Sequence, residues 1–235
     1  MFLFHDTQIK IENKNYTFQR PDSKHISKVL RKEIGTLITI TDGKGLEWKG
    51  EITLLTPQRV YAEKIEALKH SRSKKLIHLA IAPTKSNDRM EWLMEKLTEL
   101  GIASITPLLC ERSERKVTKT ERLIKIAVTA LKQSHQFFLP EIRPMTSFKE
   151  YLKTLQHQTL IAHCDNTPKK NLSEHIIQAN EISLCIGPEG DFSPSEIKLA
   201  TLAGIIPVSL GEQRFRTETA GLLGCHSIFL QYQKK

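Results

Sequence analysis

No two cysteines in this 235-residue chain stand close enough in sequence to form a CxxC pair. Cys110, Cys164, Cys185 and Cys225 are scattered. That spacing excludes a zinc finger and a dense disulfide framework, and leaves free thiols in a reducing cytoplasm as the expectation. No apolar run approaches the roughly 20 residues that cross a bilayer. The start, MFLFHDTQIK, lacks a basic n-region and meets Asp6 early, so no signal peptide is expected. Neither the P-loop pattern GxxxxGK followed by Ser or Thr nor GxGxxG occurs, which disfavours a nucleoside triphosphate or a Rossmann-bound dinucleotide. The nine histidines fall at no metal-ligand spacing, and no metal is expected. No C2H2 finger, leucine zipper or RNP-type aromatic motif is present.

What the chain has in excess is positive charge. The formal net charge is +9, with Lys and Arg crowded into KHSRSKK (Lys69 to Lys75) and ERSERKVTKTERLIK (Glu111 to Lys125). Each run by itself reads as a solvated face. The excess over the whole chain points to a polyanion, of which nucleic acid is the commonest. Apolar residues at 39% and charged residues at 26% are those of an ordinary globular protein, and the length suits one large domain or two small ones.

Two grammars divide the chain near residue 70. Residues 1–70 read as β-rich: TLITI, then the Asp-Gly turn DGKG, then LEWKGEITLL and RVYAEKIEAL. One short helix is expected at KHISKVLRK, with Ile26, Val29 and Leu30 on one face. Residues 71–235 alternate strands and helices, which implies a mostly parallel sheet covered on both faces. Strands are expected at LIHLAIAP, IASITPLL, TLIAH, ISLCIG and IIPVSL. Helices are expected at DRMEWLMEKLTELG, KTERLIKIAVTALKQS, NLSEHIIQAN and SPSEIKLATLAG, and from Thr217 onward. Asp88 with Glu91 reads as a capping box closed by Gly101. Ser193, Pro194 and Glu196 carry a full set of N-terminal signals, with Gly204 as the stop. Phe137 and Phe138 in SHQFFLP read as core.

Three strand-to-loop junctions, IAHCDN, CIGPEGDFSPSE and SLGEQRFRTETA, align in the second domain. Parallel sheets bind ligands at the carboxyl ends of their strands. In IGPEG two glycines flank a rigid Pro188 and a carboxylate, Glu189. That carboxylate repels phosphate and suits a cationic or hydroxyl-bearing ligand, such as the sulfonium or ribose of S-adenosylmethionine. The alternative is a plain strand-to-helix turn. In RFRTETA, Arg214, Arg216, Glu218 and two threonines crowd beside an apolar strand. They read as a site or, alternatively, as capping plus surface ion pairs.

Together these residues resemble the RsmE family, 16S ribosomal RNA (uracil-N3) methyltransferases of the SPOUT superfamily. The carriers are HISKVLR and DGKG in the first domain, then KSNDRMEWLMEKLTELG, PLLCERSERK, IGPEGDFSPSEI and SLGEQRFRTETA. The resemblance implies a PUA-like β-barrel in 1–70, an α/β domain in 71–235 with a C-terminal trefoil knot, S-adenosylmethionine as cofactor, a homodimer, and the small-subunit rRNA as partner. The cofactor residues it implies are His163, Ile186, Gly187, Pro188, Glu189, Gly190, Leu210, Gly211, Phe215, Arg216, Thr217, Thr219 and Ala220. RNA contact is implied for His25, Arg31, Arg72, Lys74, Lys75, Lys85, Arg112 and Arg115. Arg216 is the candidate for steadying charge on the uracil carbonyls, and Glu218, with Glu189 second, for accepting the N3 proton. The chain departs from the family pattern at Asp191, where a second Gly is common, in QSHQFFLP, which lacks an Arg, and at KSND, which lacks the Gly after Lys85. A non-catalytic RNA-binding protein, or a SPOUT enzyme acting on another RNA, are the competing readings. The small residues Ala220, Gly221 and Gly224 on an all-round apolar terminal helix suggest close approach of a second helix.

Overall fold

The computed structural model describes residues 2–165, 167–175 and 178–233. The chain divides into two compact units. One runs to Arg72 and also takes in Leu131–Leu139; the other holds Ser73–Ala130 and Pro140 onward.

The first unit is a five-stranded sheet built from β1 (Leu3–His5), β2 (Asn15–Thr17), β3 (Leu37–Thr41), β4 (Leu46–Leu55) and β5 (Val60–Lys69) in the order β1-β3-β4-β5-β2. Register shifts at Lys49/Gly50 and Ile52/Leu54 in β4 are bulges, which sharpen the twist and curl the sheet into a half-barrel. Trp48 folds over Gly50, where any Cβ would strike the indole ring. Its Nε1 donates to Asn13 O at 2.9 Å, and with Phe4, Phe18, Ile38, Ile40 and Ile52 it fills the core. Asp42 organises the DGKG turn: its Oδ1 accepts Lys44 N at 2.7 Å and Leu46 N at 2.9 Å.

The helix expected over 24–32 starts earlier. Pro21 sits in the first turn of α1 (Arg20–Lys24), which continues as a π-helical turn, His25–Val29. The buried Ser23 hydroxyl donates to Phe18 O and accepts Val60 N, so tertiary pairing sets the start that periodicity alone put too late. Phe137 and Phe138 are half-buried rather than core. Phe137 stacks on His70 at 4.7 Å, and Arg72 lies over Phe138.

The second unit is a parallel sheet of β6 (Leu76–Ile81), β7 (Ser104–Leu109), β8 (Glu141–Ile142), β10 (Gln158–Ala162), β11 (Lys170–Asn171), β12 (Glu181–Ile186) and β13 (Ile206–Ser209). Their order is β11-β13-β10-β12-β6-β7-β8, with β9 (Thr146–Ser147) beside β7. Helices α2 (Asn87–Leu100), α3 (Thr120–Gln133), α4 (Phe148–Leu152), α5 (Pro194–Leu202) and α6 (Thr217–Gln233) accompany the sheet.

Ser193 caps α5 in a full capping box with Glu196. The capping box expected for α2 does not form. Ser86 is the N-cap, with no side-chain bond, and Glu91 instead pairs with Arg122 at 2.6 Å. Of the helix expected over 171–180, the described residues form a 3-10 turn, Leu172–Glu174, capped by Asn171; Ile176 and Ile177 lie outside the described residues. Gly221 and Gly224 do not await a second helix. They seat α6 on its own sheet: a Cβ on Gly221 would come within 3.0 Å of Ile81, and one on Gly224 would collide with Leu184. All four cysteines are free thiols, three of them buried. Among the described residues no helix is long and apolar enough to cross a membrane.

Candidate active site

Strands β13, β10 and β12 are neighbours and parallel, so the loops at their carboxyl ends emerge side by side. Between these loops lies a cavity of about 1010 Å³, at the upper end of the range for ligand sites. Ala162–Asp165 and Lys169 form one wall, Ile186–Phe192 a second, and Val208–Thr217 with Ala220 a third.

Of the residues implied at sequence level, His163, Ile186, Gly187, Pro188, Glu189, Gly190, Leu210, Gly211, Phe215, Arg216, Thr217 and Ala220 all line it. Glu218 and Thr219 are not among the lining residues. Helical rotation is the reason: Thr217 and Ala220 are three apart and share a face, and the two residues between them turn off it. Glu218 is buried, with Oε1 at 3.6 Å from Arg89 Nε of α2 and Oε2 without a hydrogen-bond partner.

The wall over 186–192 is held from both sides. Asp191 takes a left-handed φ of +62°. Its Oδ2 accepts Cys164 N at 2.8 Å, and its Oδ1 accepts Phe192 N at 2.8 Å. The residue that departs from the family pattern thus ties the β12 loop to the β10 loop. Two hydrogen bonds to a carboxylate offset the conformational cost that a non-glycine residue incurs there. On the other side, buried Glu196 accepts Glu111 N at 2.9 Å while closing its capping box, and Ser195 Oγ donates to the Glu111 carboxylate. The Ser193 and Ser195 hydroxyls hold the Glu111 carboxyl below the usual carboxylate range.

Arg112 Nη1 donates to Gly190 O at 2.9 Å, and the Arg112 side chain itself lines the cavity. Arg115 Nε donates to Thr84 O at 2.8 Å, and its Nη2 to Lys85 O. Glu189 Oε1 accepts Lys85 N at 3.0 Å. The basic run at 111–116 therefore braces the cavity loops, a use that charge pattern alone cannot separate from phosphate binding, since carbonyl and phosphate oxygens are both acceptors.

His25, Arg31, Arg72, Lys74, Lys75 and Lys85 are exposed. Lys75 Nζ lies 5.1 Å from the Tyr232 ring, and Lys85 pairs with Glu114 at 3.1 Å.

His163 is 7% exposed and lines the cavity, and its Nε2 is buried with no hydrogen-bond partner. Burial, then the nearby Lys169 ammonium, pushes its pKa down, so the imidazole is neutral at pH 7. An unpaired buried nitrogen costs about 1–3 kcal/mol, which a ligand group reaching it would recover. Apolar surface from Ile186, Val208, Leu210 and Phe215 suits a flat heterocycle. Carboxylates from Asp165, Glu189 and Glu212 at the wall suit hydroxyl or cationic groups.

Comparisons with known proteins agree with this geometry. Residues 71–228 match the family described as RNA methyltransferase domain, and residues 18–65 match the RNA methyltransferase PUA domain. Ribosomal RNA small subunit methyltransferase E of Bacillus subtilis is 26% identical over 88% of this chain and 86% of its own. A structure described as a probable rRNA-methyltransferase, from Porphyromonas gingivalis, superposes with a TM-score of 0.89 at 35% identity over 99% of this chain and 100% of its own. Ribosomal RNA small subunit methyltransferase E from Neisseria gonorrhoeae, bound to S-adenosyl methionine, gives 0.86 at 27% identity over 97% and 96%. A PUA-type domain followed by an RNA methyltransferase domain is what this chain shares with its relatives, and the chain belongs to the ribosomal RNA small subunit methyltransferase E family of RNA methyltransferases.

Proposed function

We propose that the protein methylates N3 of a uridine in 16S ribosomal RNA of the small subunit, in the cytoplasm, with S-adenosylmethionine as donor. The observation that carries this reading is the cavity at the ends of β13, β10 and β12, walled by IGPEG and SLGEQRFRT. S-adenosylmethionine supplies an electrophilic methyl on a sulfonium. Backbone groups at Gly187, Leu210, Gly211 and Phe215, with the apolar side chains of Ile186 and Leu210, would hold the cofactor, and His163 Nε2 would offer it a hydrogen bond. The cavity carboxylates favour the cationic end of the cofactor.

Uracil N3 is weakly acidic, and its anion spreads charge onto the flanking carbonyls. Arg216, exposed on the cavity wall, is suited to steady that charge. Glu218 is buried against Arg89 and leaves the role of proton acceptor, so Glu189, at the wall, is the carboxylate we assign to it. N3 is engaged in a Watson–Crick pair, so the uridine must be unpaired or flipped. The C-terminal knot implied by the family belongs to the same reading.

The test is incubation of the purified protein with S-adenosylmethionine carrying a labelled methyl and small subunits lacking the modification, followed by mass mapping of nucleosides. One N3-methyluridine per 16S rRNA is expected. Label on a ribose hydroxyl, or only on another RNA, would overturn the assignment. S-adenosylmethionine at 100 times its dissociation constant should also add about 2.7 kcal/mol of stability.

We further infer a homodimer through α6. With one chain alone, Leu223 is 38% and Leu230 46% exposed on this helix, whereas Ile228 and Cys225 are fully buried. The sheet covers one side of α6, and these leucines stand off it. Leu223→Lys with Leu230→Lys should yield a folded monomer, since neither side chain supports the core. Leu222 and Phe229 are half-buried and less clean targets. Sedimentation velocity decides: a wild-type protein that is already monomeric at micromolar concentration removes the interface.

A further inference from the structure

At the amino-terminal ends of the sheet's central strands, the ends opposite the cavity, two histidines and a glutamate converge. Glu181 is the first residue of β12, His157 immediately precedes β10, and His78 is the third residue of β6. These three strands are neighbours, so residues remote in sequence meet at their amino-terminal ends. Glu181 Oε2 lies 3.4 Å from His78 Nε2 and 3.2 Å from His157 Nε2. The imidazoles stack at 4.9 Å with planes 10° apart, and the three donor atoms lie within 4.8 Å of one another.

Three features point beyond an ion pair. First, His78 Nε2 is buried and lacks a hydrogen-bond partner; the carboxylate is in range but not aligned. Second, Ser104 Oγ sits 2.7 Å from His78 Nδ1. In the tautomer with the proton on Nδ1 and donated to that hydroxyl, the Nε2 lone pair faces the carboxylate, an unfavourable facing unless a cation lies between, and such outer partners are the usual support of a ligating histidine. Third, the spacing fits. Metal–nitrogen and metal–oxygen bonds of about 2.0–2.2 Å at tetrahedral angles put two ligand atoms roughly 3.3–3.5 Å apart, close to both separations seen. The Arg143 guanidinium, whose charge is felt at His78, is itself paired with Glu141 at 3.1 Å. Tyr232, whose pKa burial and then Glu181 raise, donates its hydroxyl to Ala179 O at 3.0 Å.

We propose that His78, His157 and Glu181 form a binding site for one divalent transition-metal ion of the zinc class, with water in the fourth position. Two imidazoles and one carboxylate suit zinc, copper or nickel and disfavour calcium or magnesium, which take oxygen. The ion clips β6, β10 and β12 together at their amino-terminal ends, away from the catalytic cavity, a structural role.

The test uses untagged, chelator-stripped protein carrying Cys164→Ser, which removes the exposed thiol. Zn²⁺ is titrated by calorimetry, and Co²⁺ by its visible absorption, which reports tetrahedral coordination. One equivalent per chain is expected, together with a higher Tm. His157→Gln and Glu181→Gln, both at partly exposed positions, should each weaken binding by more than the 10–100-fold typical of losing a supporting partner and abolish the Tm gain. Circular dichroism and thermal unfolding without metal should match the parent. Absence of stoichiometric binding, or binding unchanged in both variants, overturns the site.

Discussion

Gly211→Val should weaken S-adenosylmethionine binding by about 5- to 140-fold while the fold stays intact. Gly211 stands on the cavity wall at φ +132°, a region that side chains with a Cβ rarely enter and β-branched ones avoid. The nearest neighbour to a Cβ there is Gln213 Oε1 at 3.6 Å, so crowding is not the obstacle and backbone conformation is. Holding an unsuitable residue in such a conformation costs about 1–3 kcal/mol. If binding needs the loop as it stands, that cost falls on the dissociation constant, at tenfold per 1.4 kcal/mol. Gly204→Ala is the control. It has a φ of +77° with nothing within 4 Å, and it lies beyond α5, outside the cavity. It should lose stability by about 1 kcal/mol and leave affinity alone. Gly187→Val acts by another route, since its Cβ would meet the Phe192 ring and backbone at 3.0 Å and lift the loop off its support. Calorimetric affinity within twofold of wild type in a folded Gly211→Val protein would remove this loop from the binding surface.

The parts of the architecture legible in the sequence were those written locally. The α5 cap lies within four residues, Ser193 to Glu196, and stands as expected. The buried strands Leu76–Ile81 and Glu181–Ile186 are short apolar runs between breakers, and the loops after them are the cavity walls. What stayed hidden depends on tertiary placement. The association of Leu131–Leu139 with the first unit rests on contacts such as Gly45 N to Phe137 O at 2.8 Å, between residues far apart in sequence. Glu218 is adjacent to Thr217 in sequence, yet points away from the cavity, because about 100° of helical rotation separates neighbours. The brace made by Arg112, Arg115 and Glu196 joins segments whose proximity no motif encodes. The same holds for His78, His157 and Glu181, which meet only because their strands are neighbours in the sheet.

Binding to the ribosomal substrate should fall by roughly 300-fold between 50 and 200 mM salt. For six phosphate contacts on single-stranded RNA, the slope of log affinity against log salt is about −4, and a fourfold rise in salt then removes about 2.5 decades. The net charge of +9 makes six contacts a modest requirement. Which residues to reverse follows from what each already holds. Arg112 and Arg115 donate to Gly190 O, Thr84 O and Lys85 O around the cavity, so reversing them should damage cofactor and RNA binding together and would not separate the two functions. Lys74, Lys116 and Lys119 are exposed and lie outside the cavity lining. Their triple reversal to Glu should flatten the salt slope by about 2, at roughly 0.7 per contact, while S-adenosylmethionine affinity remains unchanged. A slope that stays the same in the triple variant would assign these lysines to a solvated face. A wild-type affinity that hardly moves between the two salt concentrations would mean that base contacts and shape, not the phosphate backbone, hold the substrate.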